Sequence, residues 1–270
     1  MLHDLNLLLD RLRQQPAVLV TVARTEGSAP REAGAWMAVW PDAVLGTIGG
    51  GHLEWQAMAH ARQRMAAAPT ATAPQTLRYP LGPSLGQCCG GVVWLCYENV
   101  CAADAPQLRA RLAPRIAPVT VFGGGHVGQA VVRLLADLPF ALTWVDSRDE
   151  IFPPHVPAHV ACVHSDPVQA AVADMPAGSR VLIMSFSHAQ DLDIVAASLQ
   201  RQRGRGDVPY IGLIGSRTKW AVFSRRLRAR GFGDEELAHV TCPIGLPGIT
   251  GKQPAVVAVA VAAQLLQKAS

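Results

Sequence analysis

The chain has 270 residues, half of them apolar, and a formal charge of only +4, so it can bury the cores of two ordinary domains. Its basic residues are scattered except at Arg201 to Arg205 and Arg225 to Arg230, where they alternate with other residues as solvated helix faces do, and nucleic acid is not the expected partner. No apolar run reaches membrane-spanning length, Met1 to Leu5 shows no basic leader, and six cysteines without framework spacing or a CxxC pair read as thiols; a cytoplasmic protein with no membrane contact and no zinc site is expected.

In chain order, leucines 2, 5, 8, 9 and 12 recur at helical spacing, and Pro16 ends that helix before a strand from Ala17 to Ala23. The loop Thr25 to Met37 is rich in turn formers and presents Ser28 and Arg31. Arg31 reads either as a planar fork for a phosphate or heterocycle edge, or as a surface arginine beside a turn. Next come Gly49, Gly50 and Gly51 at the mouth of a helix expected from Trp55 to Ala68, where backbone N–H groups and the helix dipole would favour an anion. No Lys-Ser or Lys-Thr follows them, so this is not a P-loop, and Glu54 sits where a carboxylate stabilises a first helical turn.

A Pro/Ala/Thr connector and a short strand lead to Pro83–Gly91, in which Cys88 and Cys89 lie between glycines ahead of the apolar run Val92 to Tyr97. Adjacent residues of an extended chain face opposite ways, so the two thiols do not readily pair, and one of them can face a pocket. They read either as reactive sulfur beside glycine amides or as small buried hydrophobes. Residues 100–118 look like a short helix and a linker, which places the domain boundary between residues 115 and 116.

The second part opens with a strand, Ala117 to Phe122, that runs into Gly123, Gly125, His126 and Gly128 at a helix start, and a second strand ends in Asp146. This is GxGxxG between strand and helix, with an acid where a ribose hydroxyl would be met, so a Rossmann-like, doubly wound parallel sheet is expected, and a nucleotide is a candidate ligand. Further strands are expected at His159 to Val163, Arg180 to Ser185 and Tyr210 to Ile214. His188 follows a strand end, Asp191 reads as a helix cap, and Gly212 to Lys219 repeats the strand, turn and helix theme with two cations near the turn.

Together, Gly27 to Arg31, Gly46 to Gly51 with Glu54, Gly86 to Gly91, Phe122 to Gly128, Ser187–His188, Tyr210 to Ser216 and Pro243 to Leu246 resemble the XdhC/CoxI family across nearly the whole chain. The resemblance implies an N-terminal α+β domain of the XdhC/CoxI type (residues 1–115) followed by the Rossmann-like domain (116–270). It implies a chaperone, not a turnover enzyme, that binds the molybdenum cofactor, protects it during sulfuration and delivers it to apo xanthine dehydrogenase. A cysteine desulfurase as sulfur donor, the molybdenum subunit of xanthine dehydrogenase as recipient, and a homodimer come with it. The cofactor would be held by Arg31, Ser28, Gly49 to Gly51 and the second glycine turn, with Cys89 or Cys88 as metal ligand. Two positions depart from the family pattern: Pro254 is followed by Ala255 and Val256 where relatives carry a glutamate, and Ser187 stands for a threonine. The alternatives are an NAD(P)-dependent oxidoreductase built on Gly123 to Gly128 and Asp146, with His188 as acid or base, and a Rossmann-like domain that serves only as a docking scaffold.

Overall fold

A computed structural model describes residues 2–67, 73–82, 90–113 and 116–269. The chain divides into two compact units, Met1–Pro114 and Arg115–Ser270.

The first unit is an antiparallel sheet of β1 (Ala17–Glu26), β2 (Trp36–Val39), β3 (Val44–Gly46), β4 (Gln75–Pro80) and β5 (Val92–Val100), in the order β3-β2-β1-β5-β4. Alternation along the strands divides the core. Val18, Val20 and Val22 face one side with Val93, Leu95 and Tyr97, and α2 (Gly51–Ala66) covers them with Leu53, Ala57 and Ala61. Ala17 and Leu19 face the other side, under the leucine stripe of α1 (Leu2–Leu12) and Leu108 of α3 (Ala105–Leu112). The helix expected from Trp55 begins at Gly51, because Gly50, at φ +75°, turns the chain straight into it.

The second unit has six parallel strands: β6 (Ala117–Phe122), β7 (Phe140–Asp146), β8 (Ala161–His164), β9 (Arg180–Ile183), β10 (Tyr210–Leu213) and β11 (Val240–Thr241). Their order is β11-β10-β9-β6-β7-β8, so the chain winds one way from β6 and the other way from β9, and the reversal falls between these two strands. The helices α4 (His126–Leu135) and α8 (Pro254–Ala269) pack on Val119, Val121, Leu142 and Trp144. On the opposite face α5 (His188–Arg205) and α6 (Arg217–Ala229) cover Phe122, Val145, Val181 and Ile183, and the short α7 (Asp234–Leu237) adds Leu237. The α/β architecture is therefore as expected, an α+β unit followed by a Rossmann-like one. Among the described residues, no helix is long and apolar enough to cross a membrane.

Candidate functional site

In the first unit three loops meet. The turn after β1 carries Gly27, Ser28, Pro30 and Arg31; the turn after β3 carries Thr47 to Gly50; and Gly90–Gly91 leads into β5. Gly49 lies at φ +121°, and a Cβ there would run into the Pro30 ring, with the Arg31 Cγ 3.4 Å away. A Cβ on Gly91 would collide with the carbonyl oxygen of Ser28 and stand 2.6 Å from that of Glu26. Glycine at these two positions thus lets the Arg31 loop close against the triple-glycine turn on one side and against Gly91 on the other. Leu81 N–H donates to the Gly91 carbonyl at 2.8 Å, which ties together the two ends of the segment that carries Cys88 and Cys89. The cysteines lie outside the described residues, but their anchor sits beside Ser28. Among the described residues, no group of three His, Cys, Asp or Glu side chains could hold a metal ion.

Part of the anion cradle expected at Gly49 to Gly51 is met from within the chain: the Gly50 amide donates to Glu54 and the Gly49 amide to Thr47. Glu54 Oε2 accepts from Thr47 Oγ1 at 2.5 Å and from the amides of Ile48 and Gly50, both at 3.0 Å, while Gly49 N–H donates to Thr47 Oγ1 at 3.1 Å. Glu54 therefore does more than complement the first helical turn. Arg31 is about one-third exposed (34%) and bonds Glu32, with Nη2 to Oε1 at 3.1 Å; the Arg31 guanidinium holds the Glu32 carboxyl below its usual range. That pair is a surface contact of the kind an incoming anion displaces at little cost.

In the second unit the glycine motif occupies the end of β6, at the strand-order reversal. Gly123 and Gly128 are glycines for close packing: side chains there would meet the Met184 and Gly123 carbonyls, and Trp144 Nε1 donates to the latter at 2.9 Å. The helix expected from Gln129 starts at His126, which leaves Gly125 as its cap and His126 exposed in its first turn. Asp146 is 2% exposed, and its carboxylate is saturated. Oδ1 accepts from Arg148 N and Nε, both at 2.9 Å, and Oδ2 accepts from Gly124 N at 2.6 Å and Arg148 Nη2 at 2.9 Å. Burial alone would push this carboxyl up, but the guanidinium and the two amides outweigh it and hold it below the usual carboxylate range. Ile151 packs against Gly124, and Arg148 lies over the exposed ring of Phe186 with its Cζ 4.7 Å from the centroid.

Asp191 is not the helix cap. Ser187 caps α5 by accepting from Gln190 N, whereas Asp191 reaches back to Ser185 N at 2.9 Å and Oγ at 2.6 Å and pairs with Lys219 Nζ at 2.5 Å. One of the two cations expected to face an anion at the turn after β10 is thus neutralised internally, and Lys219 also donates to the Ile214 carbonyl at 2.8 Å. His188 opens α5 with its ring edge-on to Phe223, at 6.3 Å. Three strand-to-helix turns therefore carry their own carboxylates: Glu54, Asp146 and Asp191. Sequence reading missed Arg148 and the closure by Glu54. The available signals were a basic residue two positions after the strand-end acid and a hydroxyl at Thr47 within reach of a first-turn carboxylate.

Fold and site together define a two-part α/β protein in which an antiparallel unit gathers an arginine loop, a triple glycine and the anchor of a two-cysteine segment, followed by a Rossmann unit. The chain belongs to the XdhC and CoxI family. The XdhC Rossmann domain profile matches residues 119–265, and the XdhC and CoxI family profile matches residues 11–80. The chain is 23% identical over 253 residues to the uncharacterised protein YqeB of Escherichia coli (strain K12), spanning 93% of this chain but only 43% of that longer relative. In fold it is similar to a crystal structure named as a xanthine dehydrogenase from Bacillus halodurans, with a TM-score of 0.80 at 20% identity over 98% of this chain and 95% of the other.

Proposed function

We propose that this protein is an accessory protein of xanthine dehydrogenase maturation that carries the molybdenum cofactor, holding it while its terminal oxo ligand is exchanged for sulfur and passing it to the apo-enzyme. Membership of the XdhC and CoxI family supports the accessory role. The observation that carries the ligand reading is the meeting of the Arg31 loop, the triple-glycine turn and Gly90–Gly91 in one unit. The fit to a phosphorylated pterin with a soft metal is chemical. Among the described residues, no atom lies within 4 Å of where a side chain on Gly50 or Gly90 would begin, which leaves the backbone there open to a ligand. Arg31 would take the phosphate through its planar fork, and Cys89 or Cys88 would supply the thiolate that a soft metal prefers. The bound group would supply the metal that receives sulfur; the chain's own residues bind and shield it. In this reading a cysteine desulfurase donates the sulfur, the molybdenum subunit of xanthine dehydrogenase receives the cargo, and the working form is a homodimer.

The experiment is to incubate the purified protein with molybdenum cofactor, remove the excess, and measure retained pterin and molybdenum against a Cys88→Ala/Cys89→Ala variant. Near-stoichiometric retention on the wild type with loss in the variant is expected. Absence of retention by the wild type overturns the carrier reading, and equal retention by both removes the thiols from it. The nicotinamide alternative has in its favour the strand order and the glycine turn. Against it, a ribose diol at Asp146 would have to compete with the Arg148 guanidinium, which donates to both oxygens of that carboxylate.

A further inference from the structure

The carboxylate of Glu54 is committed at one oxygen only. Its three hydrogen bonds, from Thr47, Ile48 and Gly50, all end on Oε2, and among the described residues none reaches Oε1. Glu54 is half-buried, and a side chain held at one oxygen by three donors cannot swing aside, so its Oε1 is a fixed acceptor. One residue further along α2, Trp55 is 61% exposed, with the His52 ring stacked against it at 5.5 Å and 24°, and Gln56 Nε2 holds His52 Nε2 at 3.1 Å. Closure of a helix N-terminus explains the three bonds. It explains neither the spare oxygen nor an aromatic pair left in water at the start of the helix that Gly50 opens.

We infer that Glu54 and Trp55 recognise the 2-amino-4-oxopyrimidine edge of a flat bicyclic ligand, the edge shared by pterins and guanine. Such an edge presents adjacent N–H donors, which Glu54 Oε1 accepts, and a conjugated ring for which the Trp55–His52 pair is a stacking platform. Adenine lacks that donor pair, and a phosphate is disfavoured because the amides of Ile48 and Gly50 already hold a carboxylate. The inference rests on the carrier reading for placing a pterin in this unit, and it assigns the ring to the α2 side and the phosphate to Arg31.

Glu54→Gln isolates the contact. Its amide oxygen can still accept from Thr47, Ile48 and Gly50, while its NH2 replaces the free acceptor with a donor. Binding of free pterin, GMP and AMP to the full chain is followed by fluorescence, with thermal melts as the control for folding. The wild type is expected to bind pterin saturably and AMP far more weakly; Glu54→Gln is expected to weaken pterin binding about ten- to a hundredfold while still giving a cooperative melt, lowered only by the loss of charge from the three retained bonds. Trp55→Leu should weaken it about tenfold. GMP binding as tightly as pterin would make a guanine nucleotide the source of the edge. No saturable pterin binding by the wild type, equal binding by Glu54→Gln, or AMP binding as well as pterin overturns the inference. Full cofactor retention by both wild type and Glu54→Gln would overturn it while leaving the carrier reading intact. Pterin binding that depends on Glu54, without any cofactor retention by the wild type, would instead sink the carrier reading.

Discussion

Gly90 and Gly91 are neighbours of identical chemistry with opposite surroundings, which makes them a sharp test of how the site is assembled. Neither has a positive φ, so adding a methyl group carries no backbone strain at either position. At Gly90 nothing among the described residues lies within 4 Å of the new Cβ, and Gly90→Ala should stay within about 0.5 kcal/mol of the wild type, as an open surface position does. At Gly91 the methyl meets the backbone carbonyl oxygens of Glu26, the last residue of the β1–β5 ladder, and of Ser28 in the turn that follows it, and neither can move aside as a side chain would. Overpacking costs about 1–3 kcal/mol, and a rigid obstacle puts Gly91→Ala at the top of that range. For a unit of this size a loss of about 3 kcal/mol lowers the midpoint by roughly 10 °C. Calorimetry on the full chain reads this directly, because the two units give separable transitions if they unfold independently, and only the transition of the first unit should move. The same variant should lose cofactor retention, since it prises the anchor of the cysteine segment off the Ser28 loop. Equal midpoints for Gly90→Ala and Gly91→Ala would refute the close approach of these loops.

Lys219→Met should destabilise the second unit by about 3–5 kcal/mol in urea denaturation, because it strands the charge of Asp191, which is 3% exposed. Adding Asp191→Leu should recover much of that loss. Arg148→Ala should cost roughly 2 kcal/mol at pH 7, since it strips the charge-assisted bonds from Asp146. The folded-state pKa of Asp146 lies below the ordinary carboxylate value, so the stabilisation is present above about pH 4 and is lost as the pH falls through the folded value. The difference in urea midpoint between wild type and Arg148→Ala should therefore be largest near neutrality and shrink on acidification. A gap that grows in acid would show that another group governs it.

The parts of the fold that depend on period and punctuation were legible in the sequence. The leucines of α1, the alternating valines of β1 and the glycine turn after β6 each signal one element and one buried face, and each has that role. Starts of helices were harder to read. Both α2 and α4 begin earlier than their apolar pattern does, because glycine caps carry no side-chain signature of their own. At the site, the nearness of Arg31 to Gly49 and of Ser28 to Gly91 is a long-range contact across the sheet that no local spacing encodes. Family motifs placed those residues in one set, and the close approaches supply the physical reason.

The least legible feature is what the glycine turns hold. Exposed amides at a strand-to-helix turn read as a phosphate cradle, because unsatisfied N–H groups and the helix dipole favour an anion. A carboxylate from the same chain meets that demand without the translational entropy lost in binding a ligand. Glu54 does so at four residues' remove from Gly50, Asp146 from the end of the next strand, and Asp191 from the first turn of α5. Two of the three are neutralised, by Arg148 and Lys219, and form closed ion pairs. Glu54 has no ion-pair partner among the described residues and keeps one oxygen free, so of the three it alone retains an unmet charge. A ligand at Asp146 or Asp191 must first break an internal pair, whereas a ligand with N–H donors at Glu54 gains a charged hydrogen bond and displaces nothing the protein has built. That asymmetry is the physical reason for proposing recognition at Glu54, and it gives the ion pairs of Asp146 and Asp191 a structural role.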